Sequence, residues 1–153
     1  MKIQLKNKAF TLIELLIAMA ILGILATVGL VSFRTAQMRG RDAERKSDLK
    51  QISNALELYY SDYRRYPVSA SFPWGAEFKD VKGTTYMKKV PQDPGAGSYV
   101  YDVSTSNNKY RLFAHLENTE DKNIITGLTV PCGTGITCNF SITSPNTTPT
   151  ETW

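Results

Sequence analysis

Residues 10–33 are an apolar stretch that limits what this chain can be. These 24 residues carry one charge, that of Glu14, and residues 15–33 carry none. At about 1.5 Å of rise per residue, a 19-residue α-helix covers roughly 28 Å, close to the hydrocarbon thickness of a bilayer. The apolar region of a secretory signal is shorter, about 7–15 residues. We therefore expect a retained membrane-spanning helix.

The formal charge of +4 does not indicate a nucleic-acid partner. Three of the cations, Lys2, Lys6 and Lys8, precede the apolar stretch, and without them the net charge is +1. A general polyanion-binding surface is then unsupported, and we do not expect nucleic acid as a partner. More basic residues follow the stretch than precede it, which conflicts with the positive-inside rule for an exported C-terminal region.

The helical pattern continues over residues 34–63, which contain no proline. Residues 34–48 mix both signs of charge without an apolar stripe, which predicts an exposed helix. Beyond them, apolar residues recur at spacings of three and four and so share one helical face: Leu49, Ile52, Leu56, Tyr59 and Tyr63. Tyr66-Pro67 ends the run. This apolar face should pack against residues that follow it in the chain.

The rest of the chain predicts a small antiparallel sheet. Residues 64–97 read as a loop with short helical turns at most, and strand-like stretches follow at 98–103, 110–117, 124–130 and 137–142. The first two should form a hairpin, with one face turned to the helix: Tyr110, Leu112, Ala114 and Leu116. We therefore predict an α+β fold, in which a helix continuation at 34–63 packs on a head at 64–143, followed by a loose Ser/Thr/Pro tail at 144–153.

The N-terminal motif resembles a known processing signal. The stretch Lys8-Ala9-Phe10-Thr11-Leu12-Ile13-Glu14-Leu15-Leu16 is similar to the signal of type IV prepilins and type II secretion pseudopilins. The resemblance implies that prepilin peptidase removes a leader at 1–9 by cutting between Ala9 and Phe10, and methylates the new N-terminus of Phe10. The family usually has glycine before the cut, where this chain has another small residue. Residues 41–67 and 88–101 are similar to pseudopilins.

The resemblance also implies a pilin-like fold and a structural function. The chain would be a subunit of a type IV pilus-like or type II secretion pseudopilus filament, with residues 10–33 first as membrane anchor and then as filament core. Its partners would be copies of itself, prepilin peptidase, an inner-membrane assembly platform, other minor pilins or pseudopilins, and the lipid bilayer before assembly. The precursor would cross the cytoplasmic membrane once, with its head outside the cytoplasm, before joining an extracellular or periplasmic filament.

Two alternatives stay open at this point. One is a membrane-anchored module that binds a glycan or DNA, as a competence-type minor pilin does, without forming the filament body. The other is the choice between pilin and pseudopilin. A cysteine pair, and the lack of a clear calcium-binding loop after Ile124, favour a pilin, whereas residues 41–67 and 88–101 favour a pseudopilin.

Glu14 is the candidate residue for filament register. A carboxylate inside a bilayer costs several kcal/mol unless it is paired, so such residues usually have a function. The resemblance makes Glu14 the family's buried glutamate, four residues after the amine that cleavage would create at Phe10. A neighbouring copy's carboxylate paired with that amine would favour one axial stagger. The alternative is an acid that reaches the membrane interface. Farther along, Asp42, Glu44 and Asp48 are candidates for salt bridges between subunits.

Few other residues suggest chemistry. Cys132 and Cys138 flank a Gly/Thr-rich loop and are a disulfide candidate in an exported domain, two reduced thiols being the alternative. We expect no metal or other cofactor, because zinc needs more ligands than His115 supplies and the polar residues at 118–123 are typical of a solvated turn. No Ser/His/Asp set, Cys/His pair or confined carboxylate pair is evident, so we expect no enzyme.

Overall fold

The computed structural model describes residues 10–153. The predicted leader at 1–9, which includes Ala9, lies outside the described residues. Contacts within the chain divide it into two units, one that ends at Gln37 and one that covers Met38–Trp153. One helix, α1 (Leu12–Tyr63), contributes to both units and matches the predicted helical run.

In the first unit, the apolar side chains of α1 face outward. All the large apolar side chains described at 12–33 are more than half exposed, from Ile17 at 51% to Leu12 at 82%. The helix contains an apolar window long enough to cross a membrane, and none of that window is buried in the structure. A helix that is apolar on all sides and uncovered by its own chain needs apolar surroundings.

The second unit combines the rest of α1 with two antiparallel sheets, as the predicted α+β, pilin-like fold requires. A two-stranded sheet pairs β1 (Phe78–Lys79) with β2 (Thr85–Met87), and a short 3-10 turn (Ser69–Ser71) precedes it. A three-stranded sheet has β4 (Tyr110–Ala114) between β3 (Val100–Val103) and β5 (Phe140–Thr143). The predicted hairpin of the first two strand-like stretches is β3–β4, paired antiparallel from Val100 opposite Phe113 to Val103 opposite Tyr110.

The main core lies between α1 and the three-stranded sheet. Leu49, Ile52 and Leu56 are at most 1% exposed. They share a cluster with three residues of the predicted β4 face and with aromatic side chains: Tyr110, Leu112, Ala114, Tyr66, Phe72, Phe78, Tyr99 and Tyr101. Burial of large aliphatic side chains stabilises by about 1.5–3 kcal/mol each. The helical and strand periodicities therefore predicted the right faces.

A second cluster covers the opposite face of the sheet. Phe113 of β4 packs there with Cys132 and Cys138 and with partly buried apolar side chains that include Leu128 and Val130. The predicted strand at 124–130 is wrong. The segment instead covers the sheet and forms few backbone hydrogen bonds, among them Cys138 N to the Val130 carbonyl at 2.8 Å. The last strand begins at residue 140 rather than 137, since its pairing with β4 starts with Phe140 opposite Ala114.

The sequence missed β1 and β2 because strands of two and three residues are too short to show alternation. Their turn is made by Asp80, whose Oδ1 accepts hydrogen bonds from the backbone N–H groups of Lys82 and Thr84, each at 2.8 Å. Gly83 has the positive φ of 88° that this turn needs. The Tyr63 hydroxyl donates to Asp80 Oδ2 at 2.7 Å and so ties the turn to the end of α1.

The tail at 144–153 lies against the sheet, where the sequence predicts a loose segment. Ser144 is buried, and the Arg111 guanidinium donates to the carbonyl oxygens of Pro149 and Glu151. The Trp153 ring lies 3.9 Å from that guanidinium. The composition of the tail could not reveal these contacts, because the arginine that holds it comes from β4.

Helix α1 ends in an unfavourable backbone conformation. Arg64 follows the helix with a φ of 54°, and its N–H donates to the Tyr60 carbonyl at 2.8 Å. Glycine is the usual residue at this left-handed position, because other residues lose about 1 kcal/mol or more there. Arg64 is also exposed, so its side chain does not recover this cost by burial.

We predict that Arg64→Gly raises the stability of the second unit. The change removes the left-handed strain, and we expect a gain of about 1 kcal/mol, or a few degrees in the unfolding midpoint. Tryptophan fluorescence during heating of the full chain in a nonionic detergent measures it, since both tryptophans lie in this unit. Arg65→Gly is the matched control and should not stabilise. A lower midpoint for Arg64→Gly than for the unchanged chain would contradict the assignment.

Candidate functional site

Thr11 and Glu14 cap the first turn of α1. Thr11 directly precedes the helix, and its N–H and hydroxyl both donate to Glu14 Oε2 at 2.8 Å. In return, the Glu14 N–H donates to Thr11 Oγ1 at 3.3 Å. This reciprocal pair is a capping box. Its sequence signal, a threonine followed three residues later by a glutamate, is present, although we predicted no capping role for Glu14 from the sequence.

The Glu14 carboxylate also remains available to a partner outside the chain. Within residues 10–153 it forms no ion pair, and it is the sole acid of residues 10–33. Its hydrogen bonds to Thr11 orient the carboxylate without neutralising its charge. The site therefore offers one oriented negative charge beside Phe10, on an otherwise apolar and exposed helix.

A buried ion-pair cluster holds the second unit together near its start. Arg45 is 2% exposed, although the sequence predicts an exposed helix at 34–48, and that prediction is wrong here. Its Nε and Nη2 donate to Asp93 at 2.8 and 3.0 Å, and its Nη1 donates to Asp42 at 2.8 Å. Nη2 also lies 2.8 Å from Glu117 Oε1, and Arg41 pairs with the same glutamate. One guanidinium thus meets three carboxylates.

The cluster connects α1 to two loops. Asp42 accepts hydrogen bonds from the backbone N–H groups of Glu117 and Asn118 at 2.9 and 2.8 Å, just after β4. Asp93 accepts one from the Gly95 N–H at 2.7 Å. A Cβ at position 95 would lie 2.6 Å from Arg45 Nη2, so the loop needs glycine to approach the guanidinium. The cluster is saturated from within and has no group left for chemistry.

This arrangement corrects the intersubunit assignments made from the sequence. Asp42 is 2% exposed and fully engaged within its own chain. Asp48 accepts a hydrogen bond from the Tyr99 hydroxyl at 2.8 Å. Of the three acids considered for contacts between subunits, only Glu44 remains exposed and without a partner among the described residues.

Hydrogen bonds and charges within the cluster shift the pKa values of several of its members, including Glu117 and Arg45. The hydrogen bond from Arg41 lowers the pKa of the Glu117 carboxyl to about 2 from the usual 4.5, against a partial burial that alone would raise it. Burial alone would lower the pKa of the Arg45 guanidinium, but its hydrogen bonds to Asp93 and Glu117 raise that pKa above its usual value. Both groups are therefore charged at neutral pH.

The other residues considered from the sequence belong to the second unit. Cys132 and Cys138 are joined by a disulfide and are almost fully buried. His115 Nδ1 is 2.7 Å from the Thr137 carbonyl. Asp121, in the polar turn, pairs with Lys46 at 2.6 Å. Among the described residues, no group of three His, Cys, Asp or Glu side chains is placed to hold a metal ion.

Comparison with known proteins identifies the family. Residues 4–30 match the prokaryotic N-terminal methylation motif. Residues 33–123, more than half of the chain, match the family described as type II secretion system (T2SS), protein G. The chain belongs to the protein G family. The predicted relationship to pilins and pseudopilins is thus confirmed, and membership in a family of structural pilin-like proteins fits a membrane-anchored precursor that forms a filament.

The curated relatives include both kinds of filament protein. The type IV major pilin protein PilA of Myxococcus xanthus is 34% identical over 90 residues, which cover 59% of this chain and 40% of that pilin. The type II secretion system core protein G of Aeromonas hydrophila is 29% identical over 61% of this chain and 71% of the relative. The core protein G of Pseudomonas aeruginosa is 28% identical over 71% of this chain and 82% of the relative. No solved structure matches the chain.

We predict that acid destabilises the second unit through Glu117. Because its folded pKa is depressed, the contribution of Glu117 is complete above the unfolded value near 4.5 and is lost as the pH falls toward 2. The free energy of unfolding of the full chain in detergent, measured against pH, should exceed that of Glu117→Gln at pH 6, and the difference should shrink below pH 4.5.

The control for this measurement is Glu120→Gln. Glu120 is exposed in the same loop, and its carboxylate has no ion pair among the described residues. Its removal should leave the pH profile of the free energy of unfolding unchanged. A constant difference between the unchanged chain and Glu117→Gln from pH 6 to pH 2 would show that Glu117 does not cause the acid sensitivity.

Proposed function

We propose that this chain is a structural subunit of a type IV pilus-like or type II secretion pseudopilus filament, assembled through its N-terminal helix. The observation that carries the proposal is the outward-facing apolar surface of α1 at 12–33, in a member of the protein G family. A binding module that stays alone in the membrane would use this surface only for lipid. A filament subunit would use this surface first against lipid and then against copies of itself.

In this proposal the precursor crosses the cytoplasmic membrane once, with its head outside the cytoplasm. Prepilin peptidase removes residues 1–9 between Ala9 and Phe10 and methylates the Phe10 amine, and the match of residues 4–30 to the methylation motif supports this step. An inner-membrane platform, with other minor pilins or pseudopilins, then moves the subunit from lipid into an extracellular or periplasmic filament. Residues 10–33 become the filament core.

Glu14 would act in assembly when the helix leaves the lipid and contacts neighbouring copies of the chain. Lipid tails are as apolar as leucine side chains, so the hydrophobic effect contributes little to the association of spanning helices. Close packing and polar contacts then decide which stagger between subunits is preferred. A pair between the Glu14 carboxylate and the Phe10 amine of a neighbouring copy would neutralise two charges in an apolar core. We propose this pair as the register contact.

The choice between the two kinds of filament rests on different parts of the chain. The match of residues 33–123 to the protein G family supports a pseudopilus. The 34% identity to a type IV major pilin supports a pilus. The architecture needed for either filament is the same, so the proposal does not depend on which one forms.

We predict that the chain recovered from cells begins with N-methylated Phe10 and forms fibres. Mass spectrometry of the N-terminal peptide checks the processing, and electron microscopy of sheared surface material with an antibody to the head checks the fibres. Ala9→Leu is the matched variant, because a larger side chain before the cut should block processing. Recovery of the chain only as single membrane-embedded copies that begin at Met1 would reject the proposal.

We predict that the charge of Glu14, and not its cap, is needed for ordered fibres. Glu14→Gln removes the charge but retains a side chain that completes a capping box, whereas Thr11→Val removes the cap, at about 1 kcal/mol, and retains the charge. Glu14→Gln should give processed chain with few or irregular fibres, and Thr11→Val should give normal fibres. Processing of both is checked by mass spectrometry.

The two variants separate the possible roles of this site. Normal fibres from Glu14→Gln would refute the charge pair between subunits. Loss of fibres from Thr11→Val, with normal fibres from Glu14→Gln, would assign the site to helix capping instead.

A further inference from the structure

A cavity of about 410 Å³ in the second unit shares Asp93 with the ion-pair cluster. Its volume falls within the roughly 300–1,000 Å³ usual for sites that bind small molecules. Two aromatic rings and four small or polar residues line it: Trp74, Tyr99, Gln92, Asp93, Gly97 and Ser98. No lysine or arginine is among the described residues of this lining. We call it the Trp74 cavity, and none of its residues belongs to the proposed contact at Glu14.

The two rings form an aromatic wall. The ring centroids of Trp74 and Tyr99 lie 6.2 Å apart, and the ring planes are inclined at 50° rather than stacked. Trp74 is partly exposed, whereas Tyr99 is only 6% exposed. Trp74 therefore offers most of the accessible aromatic surface, and Tyr99 lies behind it.

The wall is held in place by its own chain. Trp74 forms an isolated backbone bridge with Val90, which is fully buried. The ring of Phe72 packs against the Trp74 ring in a T-shaped contact of 4.9 Å. The Tyr99 hydroxyl donates to Asp48 at 2.8 Å. A site that is already formed avoids the cost of ordering side chains when a ligand binds.

Negative charge behind the wall is not balanced. Asp48 forms no ion pair within residues 10–153. Burial raises the pKa of the Asp48 carboxyl, and the charges of Glu44 and Asp93 raise it further, against the hydrogen bond from Tyr99. A carboxylate that is repelled by two others thus lies at the hydroxyl end of Tyr99. Its hydrogen bond polarises the phenol toward the ring, so the wall favours a cation.

We infer that the Trp74 cavity binds the alkylated ammonium group of a small molecule such as choline. An aromatic ring attracts a cation placed over its face within about 6 Å of the centroid, and tryptophan does so most strongly. The inference does not rest on filament assembly and goes beyond it.

The polar groups of the cavity favour a methylated ammonium over a primary one. A primary ammonium needs acceptors for three N–H donors. Both oxygens of Asp93 are already engaged, by Arg45 at 2.8 and 3.0 Å and by the Gly95 N–H at 2.7 Å. A methylated ammonium needs no such acceptors.

The rest of a choline-like ligand would meet a polar rim. The Gln92 amide and the Ser98 hydroxyl are exposed and have no hydrogen-bond partner among the described residues. Both can bond to a hydroxyl or phosphate group beside the ammonium. The ammonium group could therefore arrive on a free small molecule or on a phospholipid headgroup, and the test separates these two sources.

The test titrates choline chloride into Trp153→Phe of the full chain in nonionic detergent, with the ionic strength held constant by sodium chloride. This substitution leaves Trp74 as the single tryptophan, so the fluorescence reports on the cavity. We expect a saturable change with a dissociation constant of about 1–10 mM, typical of a few contacts to one small cation. The uncharged isostere 3,3-dimethyl-1-butanol should bind at least tenfold more weakly.

Substitutions test the two parts of the site, and saturation transfer from the protein to the choline methyl groups measures binding by NMR. Trp74→Leu should abolish the transfer, and Trp74→Phe should retain part of it because a ring remains. Asp48→Asn keeps an acceptor for the Tyr99 hydroxyl but removes the charge, and it should weaken binding at least threefold.

The matched control is Asp62→Asn. Asp62 also accepts a hydrogen bond from a tyrosine hydroxyl, that of Tyr86, at 2.8 Å, and it does not line the Trp74 cavity. The control removes the same charge as Asp48→Asn and should leave choline binding unchanged. All these variants should form normal fibres, so failure of this inference is distinguishable from failure of the proposed function.

Dihexanoylphosphatidylcholine, used below its micelle concentration, identifies the source of the ammonium group. Binding at least tenfold tighter than that of choline would assign a phospholipid headgroup, and equal or weaker binding would assign a free small molecule. Any of four results would overturn the inference: no saturable change with choline, equal binding of the uncharged isostere, unchanged binding by Trp74→Leu, or equal weakening by Asp48→Asn and Asp62→Asn.

Discussion

The large apolar side chains described at 12–33 are not covered by their own chain, and the proposed assembly depends on that fact. An α-helix satisfies its backbone hydrogen bonds internally, so it tolerates an apolar environment that a loop or an open sheet edge would not. The same surface suits lipid and suits copies of itself. Because both neighbours are equally apolar, apolar burial alone does not favour one stagger, and we propose that the oriented charge of Glu14 contributes that preference.

In the second unit, buried charge fixes geometry where apolar packing does not. The guanidinium of Arg45 holds α1 to the loop at 91–97 and, with Asp42, to the backbone just after β4. Buried ion pairs are a weak source of net stability, because desolvation of the ions offsets much of their attraction. Removal of one partner is nonetheless costly. The cluster therefore favours one arrangement of helix and loops over others.

The sequence predicted the parts of this fold that repeat and missed those that do not. The sequence revealed the helical spacing of Leu49, Ile52 and Leu56 and the alternation along β4. Both patterns are regular because each apolar face packs against one large partner, the helix on the sheet and the sheet on the helix. The ion-pair cluster at Arg45 could not be predicted from the sequence. A helical segment with buried charges has the same composition as a solvent-exposed one, and the partner Asp93 lies 48 positions away along the chain. Residues 124–130 have the apolar composition of a strand, but a disulfide-closed loop follows them and they cover the sheet instead of extending it. At the site, the motif predicted Glu14 but not its bond to Thr11.

Gly95 shows how far the buried guanidinium constrains a distant loop. The space that a methyl group would need is already occupied by Arg45 Nη2, 2.6 Å from the place of a Cβ. Positions 45 and 95 are therefore coupled in this structure. With arginine at position 45, an alanine at position 95 would force the buried guanidinium out of its present place, whereas a shorter residue at position 45 would free that space.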